Sequence, residues 1–267
     1  MAANLTPPKL QVEGLTIGFG EAIIQHDVSF RVETGSVFAI MGGSGSGKST
    51  LLKALIGLIR PIKGSVLIEE EDYWAATEAR RAKIAQGLGV LFQSGALWSS
   101  MTIAENVALP LRMLSRLDAA SIKQLSEVKL ALVELSAAGD LMPAALSGGM
   151  VKRAGLARAL SLDPAILMLD EPSSGLDPIT AKRLDDLILE LRDGFGMTIV
   201  LVSHDLPSLF AICDDGIFLD GDAKTAIAHG APSRLRDDCD HPIVHAFMRR
   251  ERPDADHAAS GAHHDLR

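Results

Sequence analysis

The stretch that most restricts what this chain can fold into is Gly42-Gly43-Ser44-Gly45-Ser46-Gly47-Lys48-Ser49, which fits the pattern G-x-x-x-x-G-K-[ST]. It follows a continuous apolar run, Ser36–Met41, of the kind that forms a strand buried on both faces. It precedes Lys48–Leu58, which carries Leu51, Leu52, Leu55 and Ile56 on one side and reads as a helix. Glycines in such a turn let successive backbone N–H groups point inward. Together with the helix N-terminus they make an anion cradle suited to a β-phosphate. Lys48 adds a positive charge toward β- and γ-phosphates, Ser49 offers a hydroxyl to Mg²⁺, and Thr50 extends the binding loop.

A second signal lies about 120 residues downstream. Ile166-Leu167-Met168-Leu169 is an apolar strand that ends in Asp170-Glu171-Pro172. Ligands sit at the C-terminal edge of open α/β sheets, so this strand delivers Asp170 to the edge where a metal would be held. Successive strand residues aim in different directions, which allows a division of labour. Asp170 holds Mg²⁺, directly or through water, and Glu171 orients and deprotonates an attacking water.

Composition limits the setting. The chain has 267 residues, of which 47% are hydrophobic and 4% aromatic, enough for one sizeable domain or two lobes around an aliphatic core. A formal charge of −8 argues against a nucleic-acid partner. Cys213 and Cys239 form no metal-binding pattern and read as ordinary thiols. The first nine residues lack an apolar run behind a basic start, so no signal peptide is expected. The uncharged stretch Ile84–Ala104 is long enough to span a bilayer but is interrupted by Gln86, Gln93, Ser94, Ser99, Ser100 and glycines. Any action at a membrane is therefore expected to run through a partner.

The remaining pattern is α/β. Lys9–Thr16 and Val28–Val32 read as early strands, and Ala165–Leu169 and Met197–Val202 as buried ones, with an amphipathic helix over Ile179–Arg192 between them. Between Gln93 and Leu160 the chain is rich in Ala, Leu and Ser, with helical spacing in Ile103–Leu114 and Ser121–Leu135. This region reads as a helical lobe inserted into the core. Arg249–Arg267 is polar and is expected to be disordered; its His257, His263 and His264 have no evident scaffold to fix a metal.

Leu146-Ser147-Gly148-Gly149-Met150, ahead of an expected helix at Val151–Leu160, resembles the signature of the ABC ATPase family. With the phosphate loop and the acidic strand end, the likeness spans about residues 9 to 240. It implies a P-loop NTPase (RecA-like) core with a mostly parallel sheet, an N-terminal antiparallel β segment and an inserted helical lobe. The corresponding division is a core lobe at about 9–92 and 161–240, a helical lobe at 93–160, a short C-terminal element at 241–250 and a tail at 251–267. The resemblance also implies ATP and Mg²⁺ as cofactors and a head-to-tail homodimer, in which Ser147, Gly148 and Gly149 close on ATP held by the second copy. Gln93 resembles the glutamine that contacts Mg²⁺ and water and links the lobes. Asp177, in Ser174-Gly175-Leu176-Asp177, resembles a loop that crosses the dimer interface. His204 resembles the histidine that contacts the γ-phosphate. Phe19 stands where the family places a ring against adenine, although a lone Phe is equally well read as core. Met150 replaces the usual glutamine and offers no amide.

Leu91-Phe92-Gln93-Ser94-Gly95-Ala96-Leu97-Trp98 and the methionine signature are similar to ATPases that partner MCE-domain lipid-binding proteins. The likeness implies phospholipid transport through integral membrane permease subunits, with this chain peripheral on the cytoplasmic face of the inner membrane. Ala96, Leu97 and Trp98 suit a surface where a permease helix docks, or else they pack within the helical lobe. Pro242–Arg250 resembles the C-terminal element of that subfamily. Three other readings stand beside this one: the ATPase of an importer for a small solute, a non-transport ABC ATPase, and a regulatory nucleotide-binding protein without turnover. The last is opposed by Glu171 beside Asp170, and the second by the short spacing between Gln93 and the signature.

Overall fold

The apolar run of the phosphate-loop strand sets the architecture. All six residues of Val37–Gly42 are buried, which requires cover on both faces of the sheet that holds them. The computed structural model describes residues 8–251. Strands β1 (Leu10–Phe19) and β2 (Ala22–Val32) are followed by β3 (Val37–Gly42), helix α1 (Lys48–Leu55), β4 (Lys63–Ile68), β5 (Glu71–Asp72), α2 (Glu78–Gln86) and β6 (Leu88–Leu91). Next come three helices, α3 (Ile103–Leu114), α4 (Ala119–Leu132) and α5 (Gly148–Ala159). The chain then returns through β7 (Ile166–Asp170), α6 (Pro178–Phe195), β8 (Thr198–Val202), α7 (Leu206–Ile212), β9 (Asp215–Leu219) and β10 (Ala226–His229), and ends in α8 (Pro232–Asp238) and α9 (Pro242–Arg249).

Two sheets result. The larger runs β10-β9-β3-β8-β7-β6, with every pairing parallel except β9 with β10. The smaller, β2-β1-β4-β5, is antiparallel throughout. Side chains on the large sheet alternate between two cores. Phe38, Ile40, Met168, Val200, Val202 and Ile217 face α1 and the small sheet, and the Phe30 and Phe38 rings stack 5.0 Å apart across that gap. Val37, Ala39, Met41, Leu167, Leu169, Ile199 and Leu201 face the other way, onto a core shared with α3, α5, α6 and α7. At about 1.5–3 kcal/mol per fully buried aliphatic side chain, these two layers are the main source of stability. Among the described residues, no helix is long and apolar enough to cross a membrane.

Local chemistry explains where helices begin. Thr102 and Glu105 form a reciprocal capping box at the start of α3. Ser147 caps α5 through Met150 N–H, so this helix starts at Gly148, three residues before the position expected from hydrophobic spacing. Helix α1 is shorter than expected and ends at Leu55, ahead of Gly57 in the left-handed region. The expected disorder after residue 251 and the histidines at 257, 263 and 264 lie outside the described residues, as does most of the N-terminal stretch read for a signal peptide.

Two buried polar groups make tertiary ties, one between α3 and the loop before it and one between α6 and α7. Asn106 accepts from Trp98 N–H at 2.7 Å, and its amide faces the carbonyls of Trp98, Met101 and Thr102 at 2.9–3.2 Å. Asn106→Ala should lower unfolding free energy by about 2–3 kcal/mol, read from a denaturant midpoint, because it strands those backbone groups; an unchanged midpoint would contradict this. Asp185 on α6 accepts a hydrogen bond from Ser208 Oγ of α7 at 2.8 Å, and Ser208 also reaches Asp205. Burial pushes the Asp185 carboxyl up to about 6, against the opposing Ser208 bond, with Asp205 and Asp186 adding to the rise. Raised in the folded state, this group stabilises below its ordinary range and loses that contribution as pH climbs through about 6. Asp185→Asn should therefore gain about 2 kcal/mol over the wild type near pH 8 and nothing near pH 4. A difference that does not vary with pH would refute that assignment.

Candidate active site

Strand register creates the site. Ile40 pairs with Val202, and Val202 with Asp170, so β3, β8 and β7 end at one level. Their continuations, Gly42–Lys48, Ser203–His204 and Asp170–Glu171, meet in a cleft of about 510 Å³ lined by Ile24, Ser44, Gly45, Gly47, Lys48, Ser49, Thr50, Gln93, Glu171 and His204.

The loop cannot carry side chains at its turning points. Gly42 has φ +143°, and a Cβ there would sit 2.3 Å from the Leu219 carbonyl oxygen; Gly47 has φ +86°, and its Cβ would sit 2.6 Å from Ile24. Gln25, fully buried on β2, donates to the carbonyls of Ser46 and Asp220, both at 2.8 Å. That bond fixes the direction of the Ser46 carbonyl. In a planar trans peptide the Gly47 N–H then points the opposite way. Gly43, Ser44 and Gly45 are exposed while Ser46 is buried. Lys48 is buried, its ammonium lying 2.9 Å from the Gly42 carbonyl and 2.7 Å from that of Gly43. Burial lowers its pKa, opposed by the nearby carboxylates of Glu171 and Asp170.

Opposite the loop, Ser49 Oγ donates to Asp170 Oδ1 at 3.1 Å. These hard oxygen donors, joined at the rim by the exposed Gln93 amide, are of the type that suits Mg²⁺. Gln93 Nε2 also lies 3.4 Å from Ser174 Oγ. Glu171 adopts φ +49°, an uncommon conformation for a residue with a side chain. The turn brings its Oε1 to 2.7 Å from Nδ1 of the exposed His204. Its Oε2 is buried with no protein partner. Glu171 lines the cleft, and its carboxylate keeps one acceptor oxygen without a protein partner, which suits a proton acceptor once the side chain meets a bound molecule.

The other residues singled out in the sequence lie elsewhere. Ser147 and Gly148 are exposed at the start of α5, and neither they nor the buried Gly149 line the cleft. Gly149 packs against α6, where a Cβ would come 2.6 Å from Thr180. Asp177 caps α6, accepting from the N–H groups of Ile179 and Thr180 at 3.0 Å, and the Thr180 hydroxyl bond holds its carboxyl below the usual range. Phe19 is 57% exposed at the end of β1, so it is not core; Ile24 on the paired strand lines the cleft instead. Leu97 packs on the core, whereas Trp98 is 57% exposed and Ala96 is exposed beside it. Sequence reasoning missed Gln25 and Lys152. Lys152 is buried on α5 and bonds to the backbone of both Gln93 and Glu171. A lysine at helical spacing carries no mark of that contact.

The ABC transporter family profile matches residues 25–174. The chain is 42% identical over 229 residues to the intermembrane phospholipid transport system ATP-binding protein MlaF of Escherichia coli, covering 86% of this chain and 84% of that protein. It is 37% identical over 242 residues to MlaF of Haemophilus influenzae, covering 91% and 90%. It is 39% identical over 244 residues to the probable ribonucleotide transport ATP-binding protein mkl of Mycobacterium tuberculosis, covering 91% of this chain and 67% of that protein. Among solved structures, the dimeric MJ0796 cassette in a post-hydrolysis state with ADP and Pi aligns with a TM-score of 0.75 at 29% identity, covering 82% of this chain and 97% of that one. The cbiO1 protein of Clostridium perfringens aligns with a TM-score of 0.78 at 26% identity, covering 86% and 91%. A strand–loop–helix phosphate cradle, an acidic strand end and a histidine meeting at one sheet edge are thus set in a chain that belongs to the ABC transporter family, as an ATP-binding and ATP-hydrolysing subunit.

Proposed function

We propose that this subunit powers phospholipid transport as a homodimer attached to integral membrane permease subunits and an MCE-domain lipid-binding protein, at the cytoplasmic face of the inner membrane. The likeness to the two MlaF proteins over nearly the whole chain supports the lipid assignment. Exposed Ala96 and Trp98 support a docking surface beside the Gln93 loop. A small-solute transporter is the second reading, favoured by the likeness to the mycobacterial probable ribonucleotide transport protein.

One observation carries the dimer. The cleft gathers Lys48, Ser49, Gln93, Glu171 and His204 but not Ser147 or Gly149, which stand exposed or packed elsewhere in the same chain. A second copy, related by two-fold symmetry, supplies them to ATP in trans. In this account the core lobe comprises about 9–92 and 161–240, the helical lobe 93–160, and the C-terminal element 241–250.

Within the closed site each residue has one task. The backbone of Gly42–Gly47 and Lys48 hold the β- and γ-phosphates, with Ser44, Ser46 and Thr50 lining the loop. Ser49, Asp170 and Gln93 hold Mg²⁺, which when bound offsets phosphate charge and fixes the nucleotide's orientation. Glu171 takes the proton of the attacking water with its carboxylate, and His204 moves from Glu171 toward the γ-phosphate. Phe19 lies against adenine, and Ser147, Gly148, Gly149 and Asp177 act across the interface.

Glu171→Gln should cut ATP turnover by about 100-fold or more while trapping an ATP-bound dimer on a sizing column; near-normal turnover would sink the base assignment. Lys48→Ala should weaken ATP binding by about tenfold or more, measured by calorimetry, and unchanged affinity would count against the cradle. Isolated from membranes, the complex should bring a multi-spanning permease, an MCE-domain protein and phospholipid. A periplasmic solute receptor in their place would support the second reading.

A further inference from the structure

Helix α5, headed by Ser147, is also the bed on which the Gln93 loop lies. Val151, Lys152, Gly155 and Arg158 share one face of it by helical spacing. Gly95 packs directly on that face. A Cβ at Gly95 would come 2.8 Å from Val151, and one at Gly155 would come 3.0 Å from the Gly95 carbonyl oxygen. Arg158 donates to the carbonyls of Gly95 and Ala96, at 3.1 and 2.5 Å. Both residues have left-handed backbone, φ +73° and +49°, which the helix thereby holds in place. The loop that carries Gln93 and Trp98 therefore moves with α5.

Lys152 extends this clamp to the hydrolytic centre. Its ammonium donates to the Gln93 carbonyl and, at 2.9 Å, to the Glu171 carbonyl. The side chain is 6% exposed, and among the described residues no carboxylate forms an ion pair with it. A buried ammonium held only by carbonyls is a costly arrangement compared with an apolar side chain of equal size. Burial lowers its pKa, with Glu171 and Asp170 opposing. Glu171 needs such support. Its left-handed backbone is fixed on one side by Glu171 N–H to the Val202 carbonyl at 2.9 Å, and on the other by Lys152 together with Ser174 N–H at 3.2 Å.

We propose that Lys152 is a positioning residue for hydrolysis: it ties the signature helix and the Gln93 loop to the Glu171 backbone, so that the set of α5 fixes where the Glu171 carboxylate points. The inference rests on Glu171 as the proton acceptor. Without the tie, Glu171 relaxes toward ordinary backbone angles and its carboxylate leaves the water position. The phosphate cradle is untouched, so the loss falls on kcat.

The test is steady-state and single-turnover ATP hydrolysis by the full-length chain with Mg²⁺-ATP, with thermal unfolding measured alongside. Lys152→Met should lower kcat about tenfold to a hundredfold and leave KM within about twofold, and Lys152→Arg should recover most of kcat because it keeps a charged donor. If Lys152 acts through Glu171, adding Lys152→Met to Glu171→Gln should cost little more than Glu171→Gln alone. A folded Lys152→Met variant with unchanged kcat would overturn the proposal. So would a KM rise matching the kcat loss, or fully multiplicative losses in the double variant. Should Lys152→Met fail to fold, Lys152→Gln, a neutral donor, takes its place with the same kcat and KM criteria. Full turnover in Glu171→Gln alone would remove the Glu171 reading, a result separate from the Lys152 split.

Discussion

Three strand ends at one level are what the rest of this molecule depends on. The parallel register that sets Ile40 beside Val202 and Val202 beside Asp170 brings the phosphate loop, the acidic pair and His204 to one edge. A slip of one residue in β7 would send every side chain to the other face and turn the Asp170 carboxylate onto the core of Met41, Ile199 and Leu201. The two hydrophobic layers that cover the large sheet hold the register in place. Stability and function therefore share a cause: the same alternation that fills both cores also sets the height at which each functional side chain emerges.

Against that apolar background several unfavourable features lie in and beside the cleft. Lys48 and Lys152 are buried ammonium groups, Glu171 bears a left-handed backbone, and one oxygen of its carboxylate has no partner. Backbone strain of this type costs on the order of 1–3 kcal/mol and persists only when neighbours enforce it. Here Val202, Ser174 and Lys152 all bond to the Glu171 backbone. The site is built to wait for a phosphate and a water, whose arrival would satisfy groups left exposed or unpartnered in the protein alone.

Much of this was legible in the sequence, and for local reasons. The phosphate loop is recognisable because glycine spacing, lysine and serine all act within eight residues of one another. The acidic strand end is legible because a doubly buried strand must be apolar until it leaves the core. What stayed hidden depends on distant pairing. Gln25 reaches Ser46 and Asp220 only because β2 crosses beneath the loop, and Lys152 meets Gln93 and Glu171 only after the chain has folded. The α5 start was misjudged because Ser147 and two glycines carry no hydrophobic period, although the serine cap marks the boundary. The surface position of Phe19 could not be read from its type, since an isolated Phe suits a core equally well.

In the proposed dimer the pocket around Lys48 is half a site, and Ser147 of another copy supplies the other half. Mixing two inactive variants tests it directly. Lys48→Ala chains and Ser147→Arg chains each form dimers with both composite sites damaged, but a mixed dimer combines intact Lys48 from one chain with intact Ser147 from the other. Mixing should restore ATP turnover that neither variant shows alone. Mixed dimers that form and remain inactive would contradict it.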